Sequence, residues 1–205
     1  MKNLKEIPDT NFRNRLNELF PKAFENELLD VNNNEIIKCK KLNVIGLNIQ
    51  DLTGIEWFIN LEYLYCSHNR LTSLPKTLKI LSCSNNQLTN LPNLPSTLKE
   101  LWCSNNNLTT LPKLPKTLEY LACSNNQLTF LPNLPDTLEE LSCYNNRLTS
   151  LPILPSTLEL LWSYNNNMLP PAKLPKNLKY FEWSISYRNK NNQEEGERFR
   201  YVLIK

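Results

Sequence analysis

Histidine occurs once in this chain, at His68, and glycine three times. One histidine excludes a multi-histidine metal centre and leaves little room for a Ser-His-Asp triad. Three glycines cannot build a phosphate-cradling loop, and no GxSxG elbow is present. No motif calls for a cofactor or a metal. No run approaches ~18 uninterrupted apolar residues, so no membrane-spanning helix is expected. The opening residues, Met1-Lys2-Asn3-Leu4-Lys5-Glu6, lack the apolar core of a secretory leader. As written, the chain is expected in the cytoplasm; removal of a leader would move that expectation to a secreted or cell-surface protein. A dominant charge sign is also missing. Lys and Arg number 23 against 20 Asp and Glu, a net +3. They are scattered, with no run of five like charges, which argues against a nucleic-acid partner.

Proline, by contrast, is plentiful at 14 residues, and 40% of the chain is hydrophobic. Pro without Gly means stiff extended segments rather than flexible linkers. Its placement follows a repeat. From Leu78 the chain reads LKILSCSNNQLTNLPNLPST, from Leu98 LKELWCSNNNLTTLPKLPKT, from Leu118 LEYLACSNNQLTFLPNLPDT and from Leu138 LEELSCYNNRLTSLPILPST. Leu158 opens a fifth copy, and each unit is 20 residues long. Leu61–Thr77 is a unit of 17 residues, and Cys39–Asn60 one of 22. The shorter unit is expected to bend or pinch the array.

One unit cannot bury its own apolar face, so units must stack. Segments such as Leu98-Lys99-Glu100-Leu101-Trp102-Cys103 alternate as half-buried strands do. Stacked at ~4.8 Å, about eight of them make a parallel sheet roughly 35 Å long. Leu91-Pro92-Asn93-Leu94-Pro95 and its equivalents cannot be helical, since Pro removes the donor and fixes φ. They are expected to run extended, near polyproline II, along the convex side.

The spacing L-x-x-L-x-C-x-x-N-x-L resembles the conserved segment of leucine-rich repeats, and LPxLPxTL resembles their short bacterial type. That type occurs in secreted bacterial effectors and in the repeat domains of effector ubiquitin ligases. The resemblance covers roughly residues 39–183. It implies a leucine-rich-repeat horseshoe with a concave parallel sheet. No large domain follows the repeats, so the catalytic part of the ligases is not expected.

Three parts are expected: an N-terminal helical cap over residues 1–38, leucine-rich repeats over 39–180 and a C-terminal cap over 181–205. Pro8–Phe20 reads as a helix with Asp9 or Thr10 as N-cap and Phe12, Leu16 and Phe20 on one face. This stretch is similar to the IPDxNFRxxL lead-in of some bacterial surface repeat proteins. Lys179–Tyr187 and Phe199–Ile204 alternate as strands around a polar turn, Arg188–Glu197, and read as a closing hairpin.

Cys66, Cys83, Cys103, Cys123 and Cys143 share one repeat position, followed by Ser163. Zinc-site spacings are absent, so the cysteines read as small core residues forming a ladder. Free thiols favour a reducing compartment. Cys39 falls on a Leu position and reads as core too. Asn69, Asn86, Asn106, Asn126, Asn146 and Asn166 share another position. An amide offers donors and an acceptor, so these read as internal bonds where the chain turns inward. Asp30-Val31-Asn32-Asn33-Asn34-Glu35 resembles the start of a calcium loop. Glu35 stands where such a loop needs Gly, and Lys41 where it needs Glu, so a plain turn is expected.

What remains is the concave face. One outward position holds Tyr63, Ile80, Glu100, Tyr120, Glu140, Leu160 and Tyr180. The other holds Tyr65, Ser82, Trp102, Ala122, Ser142, Trp162 and Glu182. With Tyr144 and Tyr164 alongside, the register predicts an exposed strip made of Tyr63, Tyr65, Trp102, Tyr120, Tyr144, Trp162, Tyr164 and Tyr180. Such rings anchor protein interfaces. The expectation is a non-enzymatic, effector-like scaffold for a protein partner, acting as a monomer. Glu100, Glu140 and Glu182 favour a partner with basic character. A glycan-binding surface module, stacking sugars on the same rings, is the alternative.

Overall fold

The computed structural model describes residues 1–72, 78–169, 171–188 and 194–202, with side chains up to residue 184. Its centre is one sheet of nine strands. Eight lie parallel in chain order: β4 Lys41–Asn43, β5 Tyr63–Tyr65, β6 Ile80–Ser82, β7 Glu100–Trp102, β8 Tyr120–Ala122, β9 Glu140–Ser142, β10 Leu160–Trp162 and β11 Tyr180–Arg188. The ninth, β12 Glu194–Val202, pairs antiparallel with β11. It starts five residues before the expected Phe199, and residues 189–193 of the expected turn lie outside the described residues.

The repeats stack in strict register. Leu101 pairs with Leu121, Leu121 with Leu141, and Leu141 with Leu161. Every repeat position therefore becomes a column along the solenoid. Four columns are sealed from water: Leu98 to Leu178, Leu101 to Leu161, Leu88 to Leu148, and the cysteines. Burying each Leu contributes about 1.5–3 kcal/mol before entropy is counted. Among the described residues, the proline-bearing segments carry neither helix nor strand. The Leu98, Leu118, Leu138 and Leu158 amides each donate to a proline carbonyl three residues back, at 3.1–3.2 Å. Thr117, Thr137 and Thr157 donate to Leu98, Leu118 and Leu138 carbonyls of the preceding unit, each at 2.8 Å.

The asparagine column joins the units on the other side of the core. Asn126 Nδ2 donates to the carbonyls of Cys103, Cys123 and Ser124 at 3.0–3.1 Å, while its Oδ1 accepts from Leu108 N–H at 3.0 Å. One side chain thus serves its own unit and the one before. Asn86, Asn106, Asn146 and Asn166 repeat the pattern. The residue just before each behaves differently. Asn85, Asn105, Asn125, Asn145 and Asn165 have φ of 51–56°, as does His68 at 57°. Left-handed backbone is costly for most residues, and Asn tolerates it best after Gly. The Asn-Asn pair therefore divides its work: the first turns the chain, the second binds the turn.

The 17-residue unit keeps its strand and Asn69, so its deletion falls between Leu71 and Leu78 in the sequence. LPxLPxTL is shortened there to LPKTL. Residues 73–77, where a bend or pinch is expected, lie outside the described residues.

At the N-terminus, β1 Leu4–Lys5, β2 Phe24–Glu25 and β3 Leu28–Asp30 form a small antiparallel sheet beside α1 Thr10–Leu19 and α2 Asn34–Lys38. Phe12 and Leu16 are sealed, while Phe20 is half-buried. Asp9 caps α1 through Oδ1 on Phe12 N–H at 2.9 Å. Its Oδ2 accepts from Gln50 and Asp51 N–H, tying the helix to the first repeat. Asp30 Oδ1 accepts from the Asn3 and Asn32 amides, and Asn33 Oδ1 caps α2 on Glu35 N–H, so each of these oxygens is engaged by backbone amides.

Two core expectations need correcting or sharpening. Cys39 sits at a sheet edge, half-buried, with Sγ 3.4 Å from the Lys41 carbonyl. Among the described residues, no strand lies beyond β4 to complete its burial. The five ladder cysteines are free and buried. Burial pushes the Cys66 and Cys123 thiols up to about 12, and Cys83, Cys103 and Cys143 well above the ordinary value of 9.0.

Three measurements check this frame. Asn126→Leu removes the partner of three carbonyls and one amide and is expected to lower the unfolding free energy by about 2–4 kcal/mol. An unchanged denaturant midpoint would show that the amides carry no stability. The thiols titrate higher in the folded state than in the unfolded one. Stability is therefore intact below pH 9 and falls as pH rises towards about 12, by up to about 1.4 kcal/mol per pH unit for each thiol. Native labelling with iodoacetamide at pH 8 is expected to modify Cys39 alone; rapid labelling of the ladder would contradict its burial.

Candidate functional site: an aromatic cleft on the concave sheet

Along each central strand the middle residue points into the core and the two flanking ones point outward. This places Glu100, Tyr120, Glu140, Leu160 and Tyr180 in one register row, and Trp102, Ala122, Ser142, Trp162 and Glu182 in the other. Large rings at Trp102 and Trp162 thus stand either side of two small residues, Ala122 and Ser142. Three strand spacings separate the rings, about 14 Å. The result is a concave cleft of about 700 Å³.

Six of the eight predicted rings line it: Trp102, Tyr120, Tyr144, Trp162, Tyr164 and Tyr180. They associate in pairs across neighbouring strands. Trp102 and Tyr120 stack at 5.6 Å between centroids, and Tyr144 and Tyr164 at 4.6 Å and 7°. Trp162 tilts against Tyr180 at 5.4 Å. The expectation of one exposed strip is corrected in this respect. Only Trp102, at 38% exposure, is open, and the other rings are half-buried because each covers its neighbour.

Tyr63 and Tyr65 are not part of this cleft. They sit on β5, separated from it by Ile80 and Ser82 on β6. Lys41 Nζ lies 5.1 Å from the centroid of the Tyr65 ring, giving that end a cation rather than a carboxylate.

The carboxylates of the cleft are tied to its rings. Trp102 Nε1 donates to Glu100 Oε2 at 3.2 Å. The Tyr120 hydroxyl lies beside the Glu140 carboxylate. That acceptor, then burial, then the negative charges of Glu140, Glu100 and Glu139 push the Tyr120 hydroxyl up to about 12. Glu182 departs from its expected role as an exposed acidic point: it is buried. Strands flank it on both sides, with Trp162 and Arg200 as its register partners, and the Tyr180 hydroxyl donates to its Oε2 at 3.0 Å.

Residues that the strand alternation does not reveal also line the cleft. Ser84, Asn85, Ser104 and Asn105 follow the strands and form its rim. Asn145 Nδ2 donates to Asn125 Oδ1 at 2.6 Å, and Asn165 Nδ2 to Asn145 Oδ1 at 2.7 Å. The left-handed turn thus aligns a second row of amides, of which Asn85 and Asn105 line the cleft. The doubled Asn in SNN and YNN was its only sequence signal. Among the described residues, no three His, Cys, Asp or Glu gather as a metal-binding group. No helix among them is long and apolar enough to cross a membrane.

With the geometry in place, the comparisons are decisive for the family. The family model for leucine-rich repeats in two copies matches residues 76–116, and the single-repeat model matches 60–79. A leucine-rich-repeat effector domain from Shigella superposes at a TM-score of 0.53 with 32% identity over 78% of this chain. The chain carries leucine-rich repeats similar to those of bacterial effectors. The leucine-rich effector protein YopM from Yersinia pestis is also similar, with a TM-score of 0.54 and 25% identity over 84% of this chain. This leucine-rich-repeat chain spans 58% of the Shigella domain and 70% of the YopM chain. No curated protein sequence matches it.

The Tyr120 environment supplies a test of this geometry. Glu140→Gln removes the acceptor charge that holds the proton and is expected to lower the Tyr120 pKa from about 12 towards the ordinary tyrosine range of ~10. An ultraviolet pH titration of wild type against variant reads it. Identical curves would show that the two groups do not meet.

Proposed function

We propose that this leucine-rich-repeat protein is a non-enzymatic scaffold that holds a protein partner in its concave aromatic cleft, as an effector-like molecule. The observation carrying this reading is the convergence of three ring pairs on one concave surface. Rings with a polar tip combine large contact area with few rotatable bonds, which lowers the entropy cost of anchoring. Their partners within the cleft hold them in place before any ligand arrives. The Shigella and Yersinia relatives are effectors, which supports the same class.

Glycan binding draws less support from this arrangement. Sugars stack on open ring faces, whereas each of these rings packs against a neighbour. The polar tips suit the mixed polar surface of a protein.

The test is capture from a lysate followed by mass spectrometry. Wild type is compared with a Trp102→Ala/Tyr120→Ala/Trp162→Ala variant whose fold is verified by circular dichroism. Proteins kept by wild type and lost by the variant are the expected result. Equal retention by both would move the interface off the concave sheet. Retention by neither, with binding on a glycan array, would replace the protein partner with a sugar.

A further inference from the structure

Taking the cleft as a protein-binding surface, we propose that its centre is a subsite for one arginine side chain of the partner. The guanidinium meets the Glu140 carboxylate, the alkyl stem lies on Ala122 and Ser142, and the rings of Trp102 and Trp162 close the two ends.

Four features of the cleft lead here. First, its depth comes from a gap: Ala122 and Ser142 occupy the two rungs between Trp102 and Trp162. A flexible stem fits such a slot, while a bulky ring already fills each end. Second, the described residues lining the cleft include no Lys or Arg, and of its two carboxylates Glu182 is buried while Glu140 is only half-buried. Glu100 adds a further carboxylate beside Trp102. Charge complementarity therefore selects a cation. Third, Glu140 is two residues before Ser142 on β9 and faces the same side of the sheet. An ionised carboxylate has about four acceptor sites, of which the neighbouring Tyr120 hydroxyl can take only one, leaving room for a forked donor. Fourth, the end walls are indoles, the ring type that attracts cations most strongly.

Arginine fits this set better than lysine. Its planar guanidinium can fork onto a carboxylate and lie on an indole at once, and it is less strongly hydrated than an ammonium. Tyr65, with Lys41 over its ring, offers the opposite charge and is excluded from the subsite.

The experiment is phage display of random twelve-residue peptides selected on the full chain, followed by calorimetry on the enriched peptides. A Trp102→Ala/Trp162→Ala variant, verified by circular dichroism, identifies the peptides that need the cleft. The expected result is that these peptides share an arginine. Exchanging it for citrulline, which keeps the shape and removes the charge, is expected to weaken binding by about tenfold or more. Glu140→Gln is expected to weaken the arginine peptide similarly and to leave the citrulline peptide unchanged, a coupling that loss of fold would not produce. Cleft-dependent peptides that lack arginine, or that tolerate citrulline, overturn the arginine subsite and leave the protein-binding reading standing. Selection that returns only peptides indifferent to the rings overturns both.

Discussion

The structure depends on one side-chain amide repeated along the solenoid. A strand three residues long has few ladder bonds to hold it, and each unit must reverse direction directly after it. The reversal turns carbonyls and amides towards the core, where an unpaired polar group costs several kcal/mol. The inward asparagine answers both demands. Its amide binds carbonyls of its own turn and of the preceding unit, and its oxygen takes that unit's amide. Because each asparagine spans two units, no unit is satisfied alone, and stability lies in the contacts between neighbours.

Once the core columns and the asparagine row are set, little freedom is left in a unit of 20 residues. Leucine, cysteine, asparagine, threonine and proline positions are all committed to stacking. The two outward residues of each strand are not, and there the copies differ most: Glu and Trp in one, Tyr and Ala in the next, Glu and Ser after that. The same rigidity that forbids change in the core holds these variable side chains at a constant spacing. Rings on adjacent rungs are close enough to stack, and carboxylates close enough to hold them by hydrogen bonds.

The fold was legible because a period is the loudest signal a sequence can carry. Leu101, Cys103 and Asn106 announce their burial by recurring, and the structure places each where its column demands. The cleft was legible only in part. Alternation along the strands put six rings on one face, with Tyr144 and Tyr164 beside them, yet it treated all eight as a single strip. Whether rings cluster depends on diagonal neighbours: Trp102 meets Tyr120 one rung on, while Tyr63 and Tyr65 are cut off by Ile80 and Ser82. Glu182 looked like any other outward residue, because its burial depends on β12, which lies outside the repeat. The two asparagines of each NN pair are identical letters with opposite tasks, and a column pattern cannot say which one turns the backbone.

The cleft between Trp102 and Trp162 has a width counted in rungs rather than set by loops. Units from Leu78 to Thr157 are so alike that one could be duplicated or lost by recombination with every core column still meeting its neighbour. Such an event inside the gap would widen or narrow the cleft by one strand spacing, ~4.8 Å, and could insert or delete a carboxylate in the same stroke. Binding specificity in this architecture is therefore digital: it changes in whole steps, with no intermediate that must survive a damaged core.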